Sequence, residues 1–280
     1  MLHFDFHAGN LPLLVSMPHV GVDIPDHIAN RMTAQALKTP DTDWHLPRLY
    51  NFLDQLGVSR LSAHWSRYVV DLNRPPNDSN LYPGQDTTGL CPLDTFTKAP
   101  LYLAGQEPDR AEVEQRLARY WQPYHQQLQA ELARLCQIHP LVVLWDAHSI
   151  ASQVPRFFAG KLPDLNLGSA DGSSCAASLL QAVEQVVQNQ QTYTLAVNGR
   201  FKGGYITRQY GQAGETVGSG QPGRQVHALQ LEMCQSTYMD ESYPFAFRPD
   251  LAKQVQPLLQ DMIQAALTGI RQLSTSGSGA

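Results

Sequence analysis

Two histidines each close an apolar run. His19 ends Leu13-Leu14-Val15-Ser16-Met17-Pro18, and His148 follows Leu141-Val142-Val143-Leu144-Trp145-Asp146-Ala147. A short run rich in Val and Leu reads as a strand covered on both faces. Ligands of open α/β sheets bind just beyond the carboxyl ends of such strands, so two imidazoles delivered there could hold a metal or move protons. Either histidine alone could simply be a strand-end side chain with a hydrogen bond. Asp146, two residues before His148, shares its strand face and could orient the ring or act as a ligand itself.

Asp41-Thr42-Asp43-Trp44-His45 offers two carboxylates at a helix start. They suit ordinary capping, although Asp43 could complete a His-His-carboxylate zinc site. In Ser66-Arg67-Tyr68-Val69-Val70-Asp71-Leu72-Asn73-Arg74-Pro75-Pro76, Arg67, Asp71 and Asn73 alternate as on a strand, and Arg74 sits on backbone stiffened by proline. A fixed guanidinium suits bidentate recognition of a carboxylate. The stretch 198–208 mixes glycines with Arg200, Lys202 and Arg208, without the spacing of a Walker loop. It reads as a solvated glycine turn or as an anion-binding loop that approaches its ligand closely. In His227-Ala228-Leu229-Gln230-Leu231-Glu232, a carboxylate ends an apolar strand. Such a group is placed to have a raised pKa and to act as a general base. Together these residues match metal-assisted hydrolysis of an anionic substrate.

Elements able to place them follow from the apolar periodicity. Strands are expected near 12–17, 58–63, 68–72, 141–146, 193–197 and 226–232, and helices near 43–56, 108–137, 173–188 and 249–272. Residues 78–106 read as a long functional loop and 151–172 as irregular. Strands alternating with helices predict an α/β fold with a mainly parallel sheet. The 280 residues, 42% hydrophobic and 16% charged, can bury a core of that size, which argues against disorder. We expect one catalytic domain over 1–273 and a mobile tail over 274–280. A net charge of −5 without a basic stripe argues against nucleic acid as a partner. No run of apolar residues is long enough for a membrane span, and Met1-Leu2-His3-Phe4-Asp5 does not read as a secretory signal. Cys91, Cys136, Cys175 and Cys234 form no CxxC pair, so reduced thiols in a cytoplasmic protein are expected.

The segments PHVGVDIP, TDWH, RYVVDLNRPP, LPDLNLGS (162–169), DAHS, NGRFKGGYITR and HALQLEMCQSTYMDE, in this order over about 10–245, closely resemble the N-formylglutamate amidohydrolases (N-formylglutamate deformylases). The resemblance implies hydrolysis of N-formyl-L-glutamate to formate and L-glutamate, the last step of one histidine-degradation route. It also implies a distant relation to zinc carboxypeptidases and aspartoacylases, with their three-layer α/β/α, phosphorylase/hydrolase-like fold. Those relatives run in the order first metal histidine, Asn-Arg pair, second metal histidine and catalytic glutamate. Here His19, Asn73-Arg74, His148 and Glu232 follow that order. The relatives also place a metal-binding glutamate three residues after the first histidine, where this chain has Val22. The TDWH segment therefore nominates Asp43 as the acidic ligand, with Asp23 as runner-up.

The expected site is a divalent metal, Zn²⁺ by best match, on His19, Asp43 and His148. Glu232 is the base and Arg67 steadies the oxyanion. Asn73, Arg74 and either Arg200 or Arg208 anchor the two carboxylates of a small-molecule substrate, with Lys202 adding attraction. His227 has no assigned role. The competing expectations are an aspartoacylase-like deacylase of another N-acyl amino acid and a non-catalytic binder of an acidic amino acid.

Overall fold

The computed structural model describes residues 3–212 and 225–276. Its seven strands are β1 (Phe4–His7), β2 (Leu13–Met17), β3 (Ser59–Ala63), β4 (Leu141–Ile150), β5 (Leu165–Gly168), β6 (Leu195–Val197) and β7 (Gln225–Cys234). They form one sheet in the order β1-β3-β2-β4-β7-β5-β6. Four neighbouring pairs are parallel, and β1–β3 and β5–β7 are antiparallel. The sheet is therefore mixed and mainly parallel, and the parallel strands β2, β4 and β7 lie side by side at its centre.

Helices cover both faces. They are α1 (Asp26–Ala29), α2 (Leu46–Leu49), α3 (Leu53–Leu56), α4 (Arg110–Arg116), α5 (Gln122–Ile138), α6 (Ala177–Gln188), α7 (Tyr205–Tyr210) and α8 (Pro249–Ser276). On one face Leu13, Val15, Val143, Trp145, Leu229 and Leu231 meet α6 and α8. Val255, Leu259, Met262, Ile263, Ala266 and Ile270 of α8 recur at helical spacing and are fully buried. On the other face Leu14, Val142, Leu144 and Ala228 meet α5 through Tyr124, Leu128, Leu132 and Leu135. Successive strand residues point to opposite faces, so the run Leu141-Val142-Val143-Leu144-Trp145 must be apolar throughout to serve both cores. The Asp109 carboxylate caps α4 by accepting the Glu112 N–H, and a π-helical stretch (Leu117–Trp121) joins α4 to α5.

Several elements differ from expectation. The helix expected over 43–56 starts only at Leu46, because Asp43 N–H bonds to the His19 carbonyl and His45 takes a left-handed φ of 63°. It is parted into the two single turns α2 and α3 where Leu53, Asp54 and Gln55 N–H bond three residues back to Tyr50, Asn51 and Phe52. Residues 68–72 form a turn and not a strand. Val69 N–H returns to the Ser66 carbonyl, Asp71 N–H reaches the Leu90 carbonyl, and Arg67 pairs with Asp71 four residues on. The apolar side chains there are still buried, which is why the run resembles a strand. β5 lies inside the stretch expected to be irregular, β1 and α7 were not anticipated, and α6 starts only at Ala177. Helix α8 continues to Ser276 into the expected tail, whose residues 277–280 lie outside the described residues.

Candidate active site

His19 follows β2 by two residues, where the chain turns against the segment after β3. Gly21 permits that approach, since a Cβ there would lie 2.3 Å from the Trp65 carbonyl oxygen. The Asp23–Trp65 bridge then fixes the crossing that brings Arg67 and Asp71 beneath His19. His148 lies near the carboxyl end of β4. Its register partner on β7 is Glu232, and Asp146 pairs likewise with Gln230. Asp146, His148, Gln230 and Glu232 thus project from one face of two adjacent parallel strands.

His19, Asp43 and His148 are buried, with one ligand atom of each within 4.8 Å of the others. Asp43 Oδ2 lies 3.1 Å from His148 Nδ1 and 3.9 Å from His19 Nδ1. A tetrahedral ion with bonds of about 2.0–2.1 Å holds its ligand atoms about 3.4 Å apart, so the Asp43–His148 spacing suits one small divalent ion and the wider spacings to His19 would contract around it. The far nitrogens support that fit. His19 Nε2 lies 2.6 Å from Asp71 Oδ1 and His148 Nε2 lies 3.0 Å from Asp146 Oδ2. With each Nε2–H given to a carboxylate, both Nδ1 lone pairs face Asp43. This is the carboxylate–histidine pattern that orients metal-binding imidazoles.

Without an ion, the electrostatics favour a neutral ligand ring at His19 and a protonated ring at His148, whose proton an ion would displace. Burial and the Arg67 charge lower the His19 pKa, favouring the neutral ring that a ligand requires, although Asp71 and Asp43 pull the other way. His148 is raised well above its usual value because Asp146 and Asp43 together outweigh burial. Burial opposes the Asp71 carboxylate, yet His19 and Arg67 hold its pKa well below the usual range. Arg67 is also buried, and Asp71, Asp43 and Asp41 overcome that penalty to raise its pKa. Its Nη2 donates to Asp71 Oδ2 at 2.6 Å, its guanidinium lies 4.7 Å from the Phe96 ring centre, and its buried Nε has no hydrogen-bond partner. Burial pushes Glu232 up to about 8. Asp43 and Asp146 add to the rise, while His148 and Arg67 oppose it.

These groups open into one cleft of about 600 Å³, counting its mouth, lined among others by His19, Arg67, Arg74, His148, Arg200 and Glu232. Arg74 makes only a long contact to Thr88 Oγ1 at 3.4 Å. Arg200 donates to the carbonyls of Phe157 and Asp86 and sits among the rings of Tyr82, Phe157 and Phe201. Among the described residues neither has a carboxylate partner, whereas Arg67, Arg116 and Arg156 all do.

Other expected residues stand elsewhere. Arg208 donates to the Gly203 carbonyl beside Tyr82 and is outside the cleft lining, as is Lys202, paired with Asp171 on the surface. Asn73 lines the cleft, but its amide is engaged within the protein. Its Oδ1 accepts the Ile206 N–H, while Nδ2 donates to Asp146 Oδ2 at 3.2 Å, the same oxygen that receives His148 Nε2–H. Asp23 is exposed, borders a different cavity and is not grouped with the histidines. His227 accepts the Ala176 N–H at Nδ1, away from the cleft.

Sequence reasoning overlooked the role of Asp71 as partner to both His19 and Arg67. Its position four residues after Arg67 was the available signal. It also overlooked the aromatic walls from Tyr82, Phe96, Phe157 and Phe201, which come from separate loops and share no local pattern.

Fold and cleft together describe an α/β protein with a hydrolytic type of centre: a buried His-Asp-His cradle beside a cleft that holds a carboxyl group of raised pKa and two arginines without carboxylate partners. Residues 11–239 match the family described as N-formylglutamate amidohydrolase, and the chain belongs to that family. It is 46% identical over 263 residues to an N-formylglutamate deformylase of Pseudomonas putida, covering 94% of this chain and 95% of that protein. It is also 46% identical over 268 residues to one of Pseudomonas aeruginosa, covering 96% and 97%. Among solved structures, an N-formylglutamate amidohydrolase of Ralstonia eutropha shares the fold with a TM-score of 0.78 at 24% identity, over 99% of this chain and 100% of that one. A gene product of Agrobacterium tumefaciens does so at 0.69 and 16% identity, over 96% of each.

Proposed function

We propose that this chain hydrolyses N-formyl-L-glutamate to formate and L-glutamate, with a divalent ion, Zn²⁺ by preference, held by His19, Asp43 and His148. The observation that carries the reading is the shared cleft. Both histidines of the cradle, Glu232 and two arginines without acidic partners line it, with Asp43 grouped behind the histidines, and the substrate brings one scissile amide and two carboxylates. The 46% identity to curated deformylases over nearly the whole chain supports the same substrate.

When bound, the ion would supply Lewis acidity and ease deprotonation of water. Glu232 takes the proton from water as its oxygen adds to the formyl carbon. It returns that proton to the glutamate nitrogen as the C–N bond breaks. Arg67, whose side chain lines the cleft, meets the negative charge that develops on the formyl oxygen. Arg74 and Arg200 each receive one carboxylate as charge-assisted hydrogen bonds. Lys202 adds only longer-range attraction.

The same reading extends to a kinship with zinc carboxypeptidases and aspartoacylases, supported by the chain order His19, Asn73-Arg74, His148, Glu232. It treats 1–273 as one catalytic domain. It places the reaction in the cytoplasm, in keeping with four free cysteines; no helix among the described residues is long and apolar enough to cross a membrane.

The test is formate release from N-formyl-L-glutamate by metal-replete protein, repeated after chelation and across a panel of N-acyl amino acids. Release that is abolished by chelation and restored by Zn²⁺ is expected. Undiminished turnover in protein verified to be metal-free would refute the metal assignment. Preference for a different acyl amino acid would refute the substrate.

A further inference from the structure

Glu232 has a neighbour on its own face of β7 that the mechanism above leaves unused. Gln230 lies two residues earlier, 4% exposed, and lines the same cleft. Its Oε1 accepts the Gly204 N–H at 2.7 Å. A backbone N–H can only donate, so this end of the amide must be the oxygen and the other end must be NH2. Gly204 is itself held close, since a Cβ there would lie 2.4 Å from Asn73 Nδ2. The Gln230 amide is therefore fixed in orientation.

Its NH2 finds no acceptor among the described residues. Nor is it one of the sealed side-chain atoms that lack a partner, so it reaches the open space of the cleft. A donor this deeply placed without an acceptor costs free energy until a ligand supplies one. Arg74 and Arg200 line the same cleft and also only donate. Three donor groups facing one space match carboxylate oxygens, which only accept. Asn73 cannot serve in this way, because its amide is already engaged.

We propose that Gln230 is a substrate-recognition residue whose amide NH2 donates a hydrogen bond to a carboxylate oxygen of the bound N-acyl amino acid. The proposal rests on the reading of the substrate as N-formylglutamate. The alternative role for Gln230 is simply to anchor the 203–204 loop, and two substitutions together separate the roles. Gln230→Glu keeps an oxygen for Gly204 N–H at nearly the same size but removes the donor and adds a negative charge. Gln230→Met removes both the oxygen and the donor and adds no charge, so a KM rise that it shares is not charge repulsion.

The experiment measures steady-state kinetics on N-formyl-L-glutamate and calorimetric binding of L-glutamate, with the unfolding midpoint as a control. Gln230→Glu is expected to raise KM and the L-glutamate Kd at least about tenfold, with kcat changing less and the midpoint unmoved. If both constants stay within twofold of wild type while Gln230→Met is impaired, Gln230 is only an anchor and the proposal falls. Should Gln230→Glu fail to fold, Gln230→Met decides: an unchanged KM overturns the proposal, a tenfold rise with kcat and the midpoint unmoved supports it, and a rise accompanied by a lower kcat and midpoint assigns Gln230 to anchoring and overturns it. Binding is read without turnover. A wild type that releases no formate, yet binds L-glutamate more tightly than Gln230→Glu, overturns the proposed reaction and leaves the recognition role standing. A wild type that neither turns over N-formyl-L-glutamate nor binds L-glutamate overturns both.

Discussion

Glu232 and His148 face one another across two parallel strands, and burial leaves the Glu232 carboxyl pushed up to about 8. A group with that affinity for protons is matched to taking one from water and releasing it to an amine near neutral pH. Glu232→Gln keeps the shape and removes the base. It should lower kcat at least about 10²-fold while zinc content, measured by atomic spectroscopy, stays at the wild-type level. Turnover near wild type would assign the base elsewhere. Arg74 carries a different load. Its carbonyl accepts the Trp121 indole N–H, but its guanidinium makes only the long contact to Thr88. Arg74→Ala therefore leaves the backbone contact in place and removes a cation. KM should rise about 10- to 100-fold, the range for a charge-assisted hydrogen bond, with kcat within a few-fold. An unchanged KM would end its role as an anchor.

At the scale of elements, the site is built where three parallel strands end and three irregular segments cross them. The 203–204 turn that opens α7 is wedged between two side chains. Gly204 N–H holds Gln230, and Asn73 fills the space where a Cβ would sit. Asn73 is not free to move aside, because its amide joins Ile206 N–H to the Asp146–His148 pair. Gly204→Ala should therefore displace Asn73 and loosen the orientation of His148. Loss of such an outer partner costs about 10- to 100-fold in metal affinity or activity. Competition with a chromophoric chelator would measure the first, and an unaltered affinity would show that the turn adjusts without disturbing His148.

For the whole molecule, the two cores on either side of the sheet decide how firmly the site is held, and one buried histidine makes that pH-dependent. His125 on α5 donates from Nε2 to the Leu72 carbonyl and accepts the Tyr210 hydroxyl at Nδ1, tying the helix to the 71–74 segment. Burial pushes its pKa down to about 4 from an ordinary value of 6.5. The unfolded chain binds the proton more readily, so protonation favours unfolding. The contribution is fully present above pH 6.5 and is lost as pH falls toward 4. A shift of this size corresponds to about 3 kcal/mol. Urea unfolding of metal-free protein should show wild type losing stability faster than His125→Gln between pH 6.5 and 4. Parallel slopes would remove His125 as the cause.

The sequence by itself determined the α/β class, the apolar strands β2, β4 and β7, the long helices α5 and α8, and the chemical types gathered at the strand ends. These are properties of local pattern. Apolar runs and helical spacing follow from which face each residue must bury, and His19, His148 and Glu232 stand where those runs stop. Sequence pattern misassigned 68–72, because burial makes an irregular apolar segment look like a strand. It also joined α2 and α3, because the three-residue hydrogen bonds of Leu53, Asp54 and Gln55 that part them leave the apolar spacing intact. Only the tertiary structure decided that Asp43 and not Asp23 meets the histidines, that Arg200 and not Arg208 lines the cleft, and that Asn73 is engaged while Gln230 has a donor to spare. Each of those choices depends on which partner lies within about 3 Å. Side chains far apart along the chain acquire such partners only when strand register and loop crossings are set.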